Sequence, residues 1–129
     1  MNKLLFFSLC CIFSLSETFA QVTYTRDIAP IIYENCTSCH RSGEIGPLAL
    51  TNYEEVKSWG NMVKYVTEIG YMPPWSPDPD FKELLNERVL TEDQINLIAE
   101  WVDTGMELGN PTDEPEIPNF PSGSQRGTP

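Results

Sequence analysis

Histidine is nearly missing from this chain: the 129 residues include one, His40. Any site that needs two imidazoles is thereby excluded. Cysteine is scarce as well, with four in all. Two of them, Cys10 and Cys11, lie in an apolar N-terminal stretch, so Cys36 and Cys39 remain for the body of the protein. A disulfide between residues three apart would close too short a loop to act as a structural staple. Basic residues are few, 8 against 19 acidic, for a net charge of −11, and no Lys/Arg run occurs. That excludes nucleic acid and anionic membrane surfaces as partners. It leaves a basic partner, or simple solubility, as the use of the acidic balance. There is no internal repeat, and no strand pattern is strong.

The first twenty residues, MNKLLFFSLCCIFSLSETFA, have Lys3, an apolar run over 4–15 and a small-x-small ending at Thr18-Phe19-Ala20. This reads as a secretory signal cleaved after Ala20, too short for a retained membrane span. Leu9 before Cys10 does not fit a lipoprotein signal. The expected location is periplasmic or secreted, with no stable membrane insertion after cleavage.

Periodicity over residues 21–109 predicts an all-α domain of four to five short helices. A helix from Thr25 to about Asn35 puts Ile28, Ile31 and Ile32 on one stripe, with Thr25 or Asp27 as cap and Pro30 near the first turn. Residues 41–50 read as loop. A Thr51-x-x-Glu54 capping box opens a stretch to Glu68, in which Val56, Trp59, Val63 and Val66 form a stripe and Gly60 divides two helices. A Pro-rich loop over 70–80 and a short helix around 81–86 follow. Thr91-x-x-Gln94 starts the clearest helix, carrying Ile95, Leu97, Ile98, Ala99, Trp101 and Val102 and stopped by Gly105. Residues 110–129, with five prolines, read either as a linker in a polypeptide that continues or as a plain disordered tail.

Within ENCTSCHRSG at 34–43 lies Cys36-x-x-Cys39-His40. A thioredoxin-like dithiol would need a strand-to-helix turn in a βαβ unit, and the pattern here is helix before and Gly/Pro loop after. A structural zinc site needs four ligands, and no further Cys or His is present after residue 40. The third reading is one covalent haem c. Two thiols add across the vinyl groups of protoporphyrin, and the adjoining histidine ligates the iron. It uses Cys36, Cys39 and His40 with nothing left over, and it is the reading the residue census favours. The group's apolar faces would also supply burial that about 85 organised residues lack.

With histidine exhausted, a second axial ligand comes from Met62, Met72 or Met106. Met62 fits ordinary core packing and Met106 follows the helix stop. Met72, in Met72-Pro73-Pro74-Trp75, is held by two prolines that restrict the backbone, and it is the expected ligand. The imidazole should donate its other N–H to a fixed acceptor. The Pro47 carbonyl of Gly46-Pro47-Leu48 is the expected acceptor, with Leu48 against the haem. Arg41, Trp59 and Trp75 are candidates for the haem propionates.

On these residues the chain resembles class I cytochrome c domains. Arg26-Asp27-Ile28-Ala29-Pro30, CTSCHR at 36–41, Gly43-Glu44-Ile45 and Met72-Pro73-Pro74-Trp75 are similar to a bacterial subgroup. In that subgroup the domain often precedes a copper type II ascorbate-dependent monooxygenase-like module. The resemblance covers about residues 23–109. It implies a periplasmic electron carrier, not itself an enzyme, with His40 proximal and Met72 distal, and a Pro-rich tail acting as an interdomain linker. Its partner would be a redox protein or fused redox domain with a basic docking surface. Copper-binding histidines are lacking, so any monooxygenase activity of such relatives cannot reside in these residues. The competing expectation is a catalytic or sensory haem domain in which Met72 is displaceable.

Overall fold

The computed structural model describes residues 21–75, 81, 85 and 87–120. The signal reading of 1–20, most of the helix expected around 81–86 and the end of the tail lie outside them. Among the described residues the regular structure is helical and no strand occurs, in keeping with an all-α chain.

The first helix opens as a π turn, Tyr24–Ile28, and continues as α1, Ala29–Asn35. Pro30 sits in the first turn of α1. It has no N–H to extend an α ladder back to Arg26, so the wider turn before it leaves less of the ladder broken. The Asp27 carboxylate caps the entry from inside, accepting the Thr23 N–H at 2.7 Å. Thr25, the other expected cap, is fully buried instead. Tyr24, Ile28, Ala29, Ile31, Ile32 and Tyr33 face the core.

Helices α2, Tyr53–Ser58, and α3, Gly60–Glu68, are divided at Trp59 as the glycine predicts. Their start differs by one residue from the expected box. Asn52 is the cap, its side chain accepting the Glu55 N–H at 3.0 Å, while Glu55 reaches back to the Thr51 N–H at 2.7 Å. Asparagine caps at least as well as threonine, and Asn52 has the extended backbone a cap requires. That bond from Thr51 also holds the Glu55 carboxyl below its ordinary pKa.

Helix α4, Glu92–Asp103, carries the full capping box expected of Thr91 and Gln94. It ends where Gly105 takes a φ of +106° and the Met106 N–H closes on the Trp101 carbonyl at 2.8 Å. Ile98, Trp101 and Val102 are its buried face. α3 packs on α4, and the π turn packs across α4 from the other side. Tyr24 makes the joint, its ring 5.9 Å from that of Trp101 and 5.4 Å from that of Tyr53. The first helix thus meets the last through the π turn. Large side chains buried here each contribute on the order of 1.5–3 kcal/mol.

After α4 the chain turns back along the first helix. The Glu107 and Leu108 carbonyls accept the N–H groups of Tyr24 and Thr25 at 2.9 and 3.0 Å. A 3₁₀ turn, Pro111–Asp113, follows, capped by Asn110. The Tyr33 hydroxyl then donates to Glu114 Oε1 at 2.5 Å, and the Phe120 ring lies 4.3 Å from the Arg41 guanidinium. Residues 114–120 have no regular structure, as a linker composition predicts, and 115–119 are exposed, yet Glu114 and Phe120 are docked. Burial and the Glu114 carboxylate push the Tyr33 phenol up to about 12.

Gly109 lies where this returning segment touches the entry turn, with φ +84°, and a Cβ there would come 2.6 Å from Thr25 Oγ1 and 2.7 Å from Thr23 Cβ. Both neighbours are β-branched and stiff, so neither can yield by a rotamer change. Gly109→Ala should therefore destabilise the domain by about 1–3 kcal/mol in denaturant titration. A change within about 0.3 kcal/mol would contradict the close approach.

Candidate functional site

The chain leaves α1 directly into Cys36, and five hydrogen-bonded residues make one tight turn. The N–H groups of Cys36 and Thr37 both close on the Ile32 carbonyl, at 2.9 and 3.0 Å. Those of Cys39 and His40 close on the Cys36 carbonyl at 3.1 and 2.9 Å. Thr37 points inward, fully buried, its hydroxyl between the carbonyls of Ile32 at 3.1 Å and Leu50 at 3.0 Å. Composition gives no hint of that role. With Thr37 as the inward pivot, Cys36, Cys39 and His40 all turn to the other side and line one cavity.

The chain then folds back over the imidazole. Gly46 donates to the Cys39 carbonyl at 2.9 Å and Leu50 to the His40 carbonyl at 2.9 Å. His40 Nδ1 lies 3.1 Å from the Leu48 carbonyl. A carbonyl can only accept, so Nδ1 carries a hydrogen, and in the neutral ring the lone pair is on Nε2. The expected acceptor was the Pro47 carbonyl, and the structure moves it one residue on. Gly46 lies so close under the ring that the return to it is completed only after the exposed Pro47 has rounded the corner.

The cavity has a volume of about 380 Å³. Such a size falls in the ~300–1,000 Å³ of clefts that hold organic ligands. One wall is the C-x-x-C-H turn with Ile45, Pro47 and Leu48; the opposite wall is α3, through Met62, Val63, Val66 and Thr67. Trp59, about half exposed, stands at the junction of α2 and α3, and Tyr71, Met72, Pro73 and Pro74 close the far side. Met72 is partly buried, and its N–H is tied to the Val66 carbonyl at 3.0 Å, so the loop is fixed to the end of α3. Of the three methionines, Met106 is turned away, packing against Gly60. Met62, expected in the core, is 51% exposed and lines the cavity rim with Met72.

Trp75 does not line this cavity but an adjoining one of about 230 Å³, shared with Met72 and Pro73. Its indole N–H is buried and has no hydrogen-bond partner among the described residues. Arg88 lines both cavities and lies 3.5 Å from Cys39 Sγ. Sequence reading passed over Arg88, because 48 residues of intervening chain hide its approach to the motif. Arg41, expected here, faces elsewhere: it donates to the carbonyls of Thr37, at 3.3 Å, and of Ser38, and pairs with Glu44 at 2.8 Å. An arginine directly after the motif finds the free carbonyls of its own turn before it can reach the cavity.

Both thiols are free. Burial, with the neighbouring Cys39, pushes the Cys36 thiol up to about 12. No group of three or more His, Cys, Asp or Glu side chains gathers among the described residues, which leaves zinc without a ligand set. Among the described residues no strand precedes the dithiol, so the βαβ setting of a thioredoxin-type site is not seen there. Comparison with known proteins found no matching family model, no matching curated protein and no matching solved structure.

A Cβ on Gly46 would lie 2.6 Å from the Cys39 carbonyl oxygen and 2.7 Å from His40 Nδ1. Gly46→Ala should push the ring off the Leu48 carbonyl. The expected result is loss or a large shift of the His40 Nδ1–H proton resonance, together with a destabilisation of about 1–3 kcal/mol. An unmoved resonance would contradict the fold-back.

Proposed function

We propose that this chain is a c-type cytochrome domain of the class I type, exported to the periplasm, that carries single electrons through one covalent haem. The observation that carries the reading is the ordering of His40. Its Nδ1–H is spent on the Leu48 carbonyl, so Nε2 is left as a ligand atom beside two free thiols that line the same apolar cavity.

The residues present fit the group. Cys36 and Cys39 would hold it by thioether bonds, His40 Nε2 and the Met72 thioether would ligate its iron, and the Trp75 N–H and Arg88 would take its acidic edge. Bound there, haem supplies a ferrous/ferric couple, and a soft thioether ligand favours the ferrous side. The chain's part is to fix the imidazole, to hold Met72 on the end of α3, and to keep water from the centre with apolar walls. Leu50, Val63 and Thr67 are buried members of those walls. A thioether that stays in place leaves no open coordination position, which suits transfer of electrons and not binding of oxygen or substrate.

Met72→Ala in the exported, haem-loaded protein tests the assignment. The wild type should show the thioether-to-ferric-iron charge-transfer band and bind carbon monoxide slowly and incompletely when reduced. The variant should lose the band, gain fast stoichiometric carbon monoxide binding and fall in midpoint potential. Fast stoichiometric binding by the wild type would instead favour a catalytic or sensory haem domain.

A further inference from the structure

We infer that residues 107–120 form a strap that positions the Cys-x-x-Cys-His turn through Arg41. The strap runs alongside the first helix in step with it. Glu107 and Leu108 meet Tyr24 and Thr25, Glu114 meets Tyr33, and Phe120 meets Arg41. Its middle anchor is strong for a surface segment, because the acceptor is a carboxylate and the Tyr33 phenol is 3% exposed. Tyr33 also receives the Tyr24 hydroxyl at 3.4 Å, so the anchor is continuous with the aromatic joint of the core.

The far end is where the strap reaches the site. The Arg41 guanidinium has two faces and an edge of donors. One nitrogen donates to the Thr37 and Ser38 carbonyls, inside the motif, and the other to Glu44. Phe120 covers the guanidinium at 4.3 Å. A cation held over an aromatic face loses freedom to swing out to water, so the ring keeps the donors on those carbonyls. Thr37 is pinned on its inward side by Ile32 and Leu50, and Arg41 pins the same residue from outside. The turn that carries His40 is therefore clamped between the core and the tail. Arg41, Glu114 and Phe120 act as positioning residues for the imidazole without lining the cavity.

The test compares wild type, Phe120→Ala, Phe120→Trp and Glu114→Gln in the full exported chain, in the reduced state. Amide resonances of Ser38, Cys39 and His40 are recorded beside the rate of proteolytic cleavage within 111–120. The strap predicts that Phe120→Ala shifts those amides, Phe120→Trp restores them, and Glu114→Gln raises cleavage severalfold with a smaller amide shift. In haem-loaded protein Phe120→Ala should also move the midpoint potential. Faster cleavage in Phe120→Ala with the motif amides unmoved would overturn it, since the tail would then be docked without acting on the turn. The amide readout needs no haem, so failure of the cytochrome reading would leave this test standing.

Discussion

Everything at the centre of this molecule follows from one hydrogen bond, that between His40 Nδ1–H and the Leu48 carbonyl. A free imidazole has two equivalent uses for its nitrogens, and the bond removes one of them. It requires the chain to return over the ring, and the return requires a residue without a side chain at Gly46, where a Cβ would meet the ring itself. It also requires the turn beneath to stay still. Thr37 supplies that stillness from the core side, with both ends of its hydroxyl's reach occupied by main-chain carbonyls.

The cavity in front of that ring is apolar for a reason visible in the packing. Helix α3 is amphipathic, and it divides its apolar residues between α4 and the cavity. Val63 serves both, while Met62 and Val66 face the space before the motif. Among the described residues no carboxylate lines it, and its cationic neighbour is Arg88. Carboxylates in such a wall would be desolvated without partners, at a cost of several kcal/mol each. A ligand with a large apolar body and an acidic edge matches that division between apolar wall and Arg88 with the buried Trp75 N–H.

Local patterns were readable wherever the governing contact is local. The Thr91–Gln94 box, the break at Gly60 and Pro30 in the first turn all rest on residues within four positions of one another. The motif residues, Met72, Trp59 and Pro47 do come to one cavity, because short helices joined by Gly/Pro loops leave few ways to close. What could not be read was long-range choice. Nothing near Arg88 or Phe120 in sequence says that one approaches Cys39 and the other Arg41. The acceptor for His40 was misplaced by one residue because a carbonyl's direction depends on the exact course of the turn. Arg41 lies away from the cavity lining because two carbonyls of its own turn and Glu44 take its donors.

The central claim is that two thiols and one ordered imidazole exist here to hold a haem, and mass spectrometry of the intact exported protein tests it most directly. Protein matured in a bacterium with haem-attachment machinery should weigh the processed polypeptide plus one haem, and should lose that addition in the Cys36→Ala/Cys39→Ala double variant. A colourless product at the mass of the bare polypeptide, with both thiols still open to alkylation after unfolding, would contradict it.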